Sequence, residues 1–193
     1  MTGRYLAFDV ETPNRYNNRM SALAVSVVEG GVVAPVFASL IDPQCPFEPF
    51  HMALTGITPE KVAGKPTFPQ VWQQIRPLME SGLLVAHNAP FDMSVLAKCL
   101  KAYGIVWQPQ VSYACTCQIT RRLLPQLSDH KLDTLCRYWQ IDLAHHQADS
   151  DSRACGEILL RCLLKTAPLI PLSAPTICSG YARFPAGRHK KTP

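Results

Sequence analysis

Three short stretches of this chain concentrate acids and histidines in patterns that can do chemistry. In FDVET, Asp9 and Glu11 stand two positions apart. On a strand that spacing sends both carboxylates out of one face, a few ångströms from each other. Two like charges at the end of an apolar strand repel and lose hydration, a cost that a bound cation removes. The plainer alternative is a wet strand end that solvates both. In AHNAPFDMSVL an apolar strand ends at His87-Asn88 and a helix begins a few residues later, with Asp92 in its first turn. An aspartate there also serves the helix dipole. The third stretch, HHQADSDSRAC from His145 to Cys155, offers two histidines and two aspartates. Asp149 and Asp151 both fall in the first turn or so of a helix, so helix geometry alone does not choose the fourth acid.

The elements that must position these residues follow from periodicity. RYLAFDVET alternates: Leu6, Phe8 and Val10 point one way, and Ala7, Asp9 and Glu11 the other. SALAVSVV and VVAPVFASL are two further strands, joined through Glu29-Gly30-Gly31 as a hairpin. Thr67 to Met79 places Phe68, Val71, Trp72, Ile75, Leu78 and Met79 on one helical face, with Pro77 distorting the last turn. GLLVAHN is a short buried strand. FDMSVLAKCLKAY is a helix in which Phe91 takes a core position, and VSYACT is another strand. Helices are expected around Thr116 to Leu124, from Lys131 to Trp139, and from about Ala148 to Leu164. This order describes an α/β fold with a mixed five-stranded sheet, antiparallel at the hairpin edge and parallel beyond it, flanked by helices.

A length of 193 residues suits one well-cored domain. The expected division is a catalytic domain over 1–166 and an irregular, Pro-rich basic tail over 167–193. No apolar run approaches the ~20 residues that span a bilayer, and no charged-then-apolar leader follows Met1. Both observations point to a cytoplasmic protein without a membrane partner. The eight cysteines are scattered and lack paired CxxC spacing, which reads as reduced, mostly buried thiols. Net charge is +5. With four acids set aside in one site, 19 Lys and Arg face ten acids, a balance that suits a polyanion.

FDVET, HNAPFD and HHQADSD, in this order and at these separations, resemble the three exonuclease motifs of the DEDD superfamily in its histidine variant, DEDDh. This is the group of the DNA polymerase III epsilon subunit and ribonuclease T. LTGIT, Leu54 to Thr58, matches a segment typical of the epsilon-like branch, and the resemblance runs from about Arg4 to Leu164. It implies a ribonuclease H-like fold and a 3′–5′ exonuclease that releases nucleoside 5′-monophosphates. The family's metal ligands fall on Asp9, Glu11, Asp92 and Asp151. In the third motif its histidine stands five residues before its aspartate, a spacing that His146 and Asp151 satisfy; His145 and Asp149 become neighbours. The residue after FDVET is Pro13, where many relatives carry a small or hydroxyl residue, which leaves the contacts of that turn open.

The chemistry agrees with the carry-over. Two divalent ions ~3.5–4 Å apart stabilise both the attacking and the departing oxygen of phosphodiester hydrolysis and lower the pKa of bound water. Hard Mg²⁺ or Mn²⁺ takes carboxylates rather than thiolates. The resemblance implies that Asp9 bridges two such ions, that Glu11 and Asp151 complete one site, and that Asp92 serves the other. His146 takes the proton of the nucleophilic water as general base. Thr12, Leu54, Thr55, Ile57 and Asn88 are the expected substrate contacts. The expected partner is single-stranded or 3′-ended nucleic acid, DNA ahead of RNA, and a proofreading role would draw on a separate DNA polymerase. The rival readings are RNA 3′-end trimming or oligoribonucleotide degradation, a phosphodiesterase for small nucleotides, and a non-catalytic nucleic-acid-binding or polymerase-associated module.

Overall fold

The computed structural model describes residues 3–166 and 180–183. Its sheet is built from β1 (Tyr5–Glu11), β2 (Ala22–Glu29), β3 (Val32–Leu40), β4 (Leu83–Ala86), β5 (Gln110–Cys115) and β6 (Gly180–Arg183), in the order β3-β2-β1-β4-β5-β6. β1, β2 and β3 run antiparallel, with Asp9 opposite Ala24 and Val25 opposite Phe37. β1, β4 and β5 are parallel, Leu6 pairing with Leu84 and Val85 with Ala114. The Gly30-Gly31 turn carries φ of +60° and +84°. Both values are left-handed, the geometry that a two-residue hairpin needs and glycine adopts without penalty.

The alternation along β1 sorts two cores. Leu6, Phe8 and Val10 pack with Phe68, Val71, Trp72 and Ile75 of α3 (Phe68–Met79) and with Val95, Leu96 and Cys99 of α4 (Pro90–Ala102). On the opposite face Ala7, Val28, Val85 and Ala114 meet Cys155, Leu159 and Leu160 of α7 (Ala148–Thr166). A helix on each face explains why β4 reads as an unbroken apolar run. α7 lies close on the sheet because Gly156 has no side chain: a Cβ there would meet Val33 Cγ1 at 2.9 Å and Val28 Cγ2 at 3.1 Å. That approach sets the depth at which the helix start, with Asp151, reaches the end of β1.

α5 (Thr116–Leu123) and α6 (Leu132–Trp139) occur where periodicity placed them, and Leu132, Leu135 and Cys136 close a third cluster against Ala154, Ile158 and Cys162 of α7. α1 (Pro49–Thr55) and α2 (Pro59–Val62) were not expected. α1 has no buried residue, so it leaves no core stripe in the sequence. The sheet exceeds the five expected strands by one. Gly180–Arg183, inside the segment expected to be irregular, pairs antiparallel with β5, Val111 opposite Ala182. β5 would otherwise end the sheet with a row of unpaired backbone groups, and a short strand satisfies them whatever its side-chain pattern. The rest of the 167–193 segment lies outside the described residues. No disulfide joins any two of the seven described cysteines, and of these Cys45 alone is not buried. Among the described residues no helix is long and apolar enough to cross a membrane.

Candidate active site

Four of the chain's 14 acids meet at one end of the sheet. β1 delivers Asp9 and Glu11, the first turn of α4 delivers Asp92, and the first turn of α7 delivers Asp151. Carboxylate oxygens of Asp9, Glu11 and Asp151 all lie within 4.8 Å of one another. Glu11, Asp92 and Asp151 are buried. Asp92 faces the same group, held by the backbone N–H of Val10 and by its own.

Such a cluster distorts proton affinities. Burial pushes Asp9 well above the carboxylate range, and the charges of Asp92, Glu11 and Asp151 add to it. Burial and then Asp151 push Glu11 up to about 7. Asp151 rises to about 6 through burial, opposed in part by the His146 N–H. Asp92 moves the same way, again chiefly through burial. Asp151 Oδ1 is also buried without a hydrogen-bond partner among the described residues. Desolvated, mutually repelling carboxylates with an orphaned oxygen fit a hard divalent cation, whose charge removes the repulsion and whose coordination takes the free lone pairs.

Both histidines of the third stretch reach this cluster. The backbone N–H of His146 donates to Asp151 Oδ2 at 3.1 Å, and His145 Nε2 stands 4.0 Å from the same oxygen. The two rings stack with centroids 4.0 Å apart. His146 sits at φ +64°, the left-handed bend that turns the chain into α7. Burial, then the neighbouring His145, lowers its proton affinity, which leaves the imidazole neutral near pH 7. His145, read from the sequence as a neighbour of the site, faces the cleft as well. Asp149 does not; it lines a smaller neighbouring cavity.

The acids form the floor of a cleft of about 850 Å³. Of the five residues expected as substrate contacts, Thr12, Leu54, Thr55 and Asn88 line it. Ile57 does not. It is buried against Ala22, Ala24, Val62 and Ala148 and borders the smaller cavity, because the left-handed Gly56 at the end of α1 turns the chain inward there. Phe91, assigned to the core by its spacing, is 41% exposed and lines the cleft. At the very start of α4 its side chain clears the sheet, so periodicity misplaced it.

Two further residues shape the site without having been singled out in the sequence. His51 of α1 donates from Nδ1 to the carbonyl of Thr12 at 3.1 Å, while its Nε2 lies 3.7 Å from Glu48 Oε2. Glu48 in turn accepts from Arg15 Nε at 2.7 Å. This chain of contacts fastens α1, and with it Phe50 and Leu54, to the residue that follows Glu11. His87 donates from Nε2 to the carbonyl of His130 at 3.0 Å and accepts at Nδ1 from the Thr116 hydroxyl at 2.9 Å. Burial lowers it to about 4, so it is a neutral strut between β4 and the 128–133 wall rather than a proton acceptor. Only contacts from distant segments reveal either role; a lone histidine carries no such signal.

The sheet thus gathers four acids at one end, with a histidine beside the last. The chain belongs to the exonuclease family: the family model RNase_T, described as exonuclease, matches residues 6–159. The DNA polymerase III PolC-type of Halalkalibacterium halodurans is 33% identical over 164 residues, covering 83% of this chain and 11% of that protein. The chain thus spans about a tenth of the length of such relatives. Among solved structures, Exonuclease X in complex with 5′ overhanging duplex DNA is similar at TM-score 0.69 and 25% identity, covering 84% of this chain and 93% of that one. The nuclease domain of 3′hExo, a DEDDh family member bound to rAMP, shares the fold at TM-score 0.71 and 16% identity, covering 85% and 93%.

Proposed function

We propose that this protein hydrolyses phosphodiester bonds at the 3′ ends of nucleic acid, DNA ahead of RNA, releasing nucleoside 5′-monophosphates with the help of two Mg²⁺ or Mn²⁺ ions. The convergence of Asp9, Glu11 and Asp151 within 4.8 Å, around an orphaned carboxylate oxygen, carries the reading. Asp9, Glu11, Asp92 and Asp151 would hold the ions, which supply Lewis-acid stabilisation of the attacking and leaving oxygens and an acidified water. His146, neutral near pH 7, accepts that water's proton. Thr12, Leu54, Thr55 and Asn88 receive the terminal nucleotide in the cleft they line.

The preference for DNA is supported by the PolC-type relatives, which are DNA polymerases by name, and by Exonuclease X, described with duplex DNA. The same relatives, DNA polymerases by name, support a DNA polymerase as a partner. Described cysteines that are mostly buried and form no disulfide with one another suit a reducing compartment, the cytoplasm. We assign the activity to residues 1–166. One digestion panel tests the reading: single-stranded, 3′-recessed and blunt DNA beside single-stranded RNA, with Mg²⁺, Mn²⁺ or chelator. Stepwise loss of 5′-mononucleotides from DNA, abolished by chelator, is expected. Faster loss from RNA would reverse the substrate order, and hydrolysis that survives chelation would remove the metal assignment.

A further inference from the structure

The cleft is acidic, yet its substrate is proposed to be a polyanion. Six carboxylates line it: the four at its floor, and Asp129 and Asp133 on the wall formed by α5, α6 and the segment between them. Two full cations line it as well among the described residues, Arg121 and Lys131, and both stand on that wall. Asp133 is already paired with Arg137 at 3.2 Å, and Asp129 accepts the backbone N–H of Lys131 at 3.0 Å. Arg4, Arg15, Arg76 and Arg137 each hold a carboxylate. Arg121 and Lys131 make no side-chain ion pair among the described residues, and both are exposed.

Their mounting is rigid. α5 is anchored by its buried face, Thr116, Cys117 and Thr120, with the Thr120 hydroxyl donating to the Thr116 carbonyl at 2.8 Å. The segment before α6 is pinned from behind by the His87 bond to the His130 carbonyl, and His130 Nε2 donates to the Leu124 carbonyl at 3.1 Å. α5 follows β5, two strands across from β1, whose end carries Thr12 and the exposed apolar side chains of α1. The cleft therefore has an apolar side, with Phe50 and Leu54, and a side that carries both cations, where Asp129 and Asp133 are already engaged; the four floor carboxylates lie between them. A single strand presents base faces on one side and phosphates on the other, which matches this division.

We propose that Arg121 and Lys131 form a backbone-phosphate site, which grips the nucleic-acid strand upstream of the scissile bond along the α5–α6 wall. The proposal rests on the reading of the cleft as a nucleic-acid site. Its ligand is the phosphodiester itself, without regard to base. The guanidinium is suited to bind it through two parallel N–H donors and the ammonium as a point charge.

Binding of a fluorescein-labelled thymidylate 12-mer, followed by anisotropy in the full chain carrying Asp9→Asn, tests this without turnover. Adding Arg121→Ala and Lys131→Ala together should weaken binding at least ~10-fold at low salt. It should also reduce the slope of log K against log[salt] by about one to two, one unit per lost phosphate contact. Arg122→Ala, next to Arg121 but outside the cleft lining, should leave both values in place, and Arg121→Lys should keep the slope. In the active enzyme Arg121→Ala should raise KM for the 12-mer more than it lowers kcat, with a smaller penalty on the p-nitrophenyl ester of thymidine 5′-monophosphate, which has no upstream phosphate. Unchanged affinity and salt slope in the double variant would overturn the proposal, as would an equal loss with Arg122→Ala. A chain that binds through Arg121 but hydrolyses neither DNA nor RNA would sink the exonuclease reading and leave this site standing.

Discussion

The backbone N–H of His146 donates to Oδ2 of Asp151 across 3.1 Å, while Oδ1 of the same carboxylate is buried without a partner among the described residues. One oxygen is thus spent holding the histidine segment in its left-handed bend, and the other is left for the floor of the cleft. The proposed base and the proposed ligand are therefore a single mechanical unit, set in place by the docking of α7 on the sheet.

Asp9→Asn should lower hydrolysis by at least ~10³-fold, because the substitution removes a charge from the proposed metal cluster while keeping the side chain's shape. Its circular dichroism should match the parent, and its melting temperature in chelator should not fall, since one source of repulsion is gone. Retained turnover would remove the metal assignment.

Stability without metal should decline as pH rises. Glu11 and Asp151 keep their protons up to about 7 and about 6 when folded, against ordinary values of 4.5 and 3.8. Through that window the unfolded chain has released protons that the folded one still holds, so raising pH favours unfolding. Urea denaturation in chelator should show a loss on the order of 2–5 kcal/mol between about pH 4.5 and 7.5, since every tenfold gain in a group's proton affinity on folding is worth about 1.4 kcal/mol. Added Mg²⁺ should flatten the profile. A pH-independent midpoint in chelator would mean that these acids are not desolvated together.

His146→Ala should reduce kcat by roughly 10²-fold or more and remove the acid limb of the pH–rate profile. His145→Ala should leave that limb in place. Since both rings face Asp151, the reverse outcome would move the base to His145.

Phe50 is 70% exposed at the cleft, so Phe50→Ala should leave stability within about 0.5 kcal/mol of the parent. Affinity for a single-stranded oligonucleotide should fall by roughly 1–3 kcal/mol, the usual worth of one base–aromatic stack. Equal affinity in the variant would take α1 out of the binding surface.

Ile57→Ala should behave oppositely. Its side chain is buried with Ala22, Ala24, Val62 and Ala148, so truncation should cost about 2–4 kcal/mol in chemical denaturation with KM changed little. A raised KM at unaltered stability would return Ile57 to the substrate contacts.

What could be read without coordinates was whatever repeats at the period of a helix or strand, or recurs at a family's spacing. The alternation in RYLAFDVET established which face of β1 carries Asp9 and Glu11, and the apolar stripes placed α3, α4 and α7 within a residue or two. The resemblance of FDVET, HNAPFD and HHQADSD to a family's motifs singled out four acids, which the fold gathers in one cleft. Elements with no core stripe stayed hidden: α1, which buries nothing, and β6, whose placement depends on an open sheet edge.

Tertiary structure alone decided the rest, because the deciding contacts join segments far apart in the chain. Phe91 and Ile57 exchanged their expected environments: a position at a helix start or beside a left-handed glycine faces wherever the neighbouring elements leave room. His51 and His87 acquired their roles from carbonyls 39 and 43 residues away. The elevated proton affinities of the acids are likewise a property of their gathering, since desolvation and mutual charge act only once β1, α4 and α7 bring them together. Sequence by itself determined which residues could do the chemistry; packing determined which of them share a cleft, and in what electrostatic state.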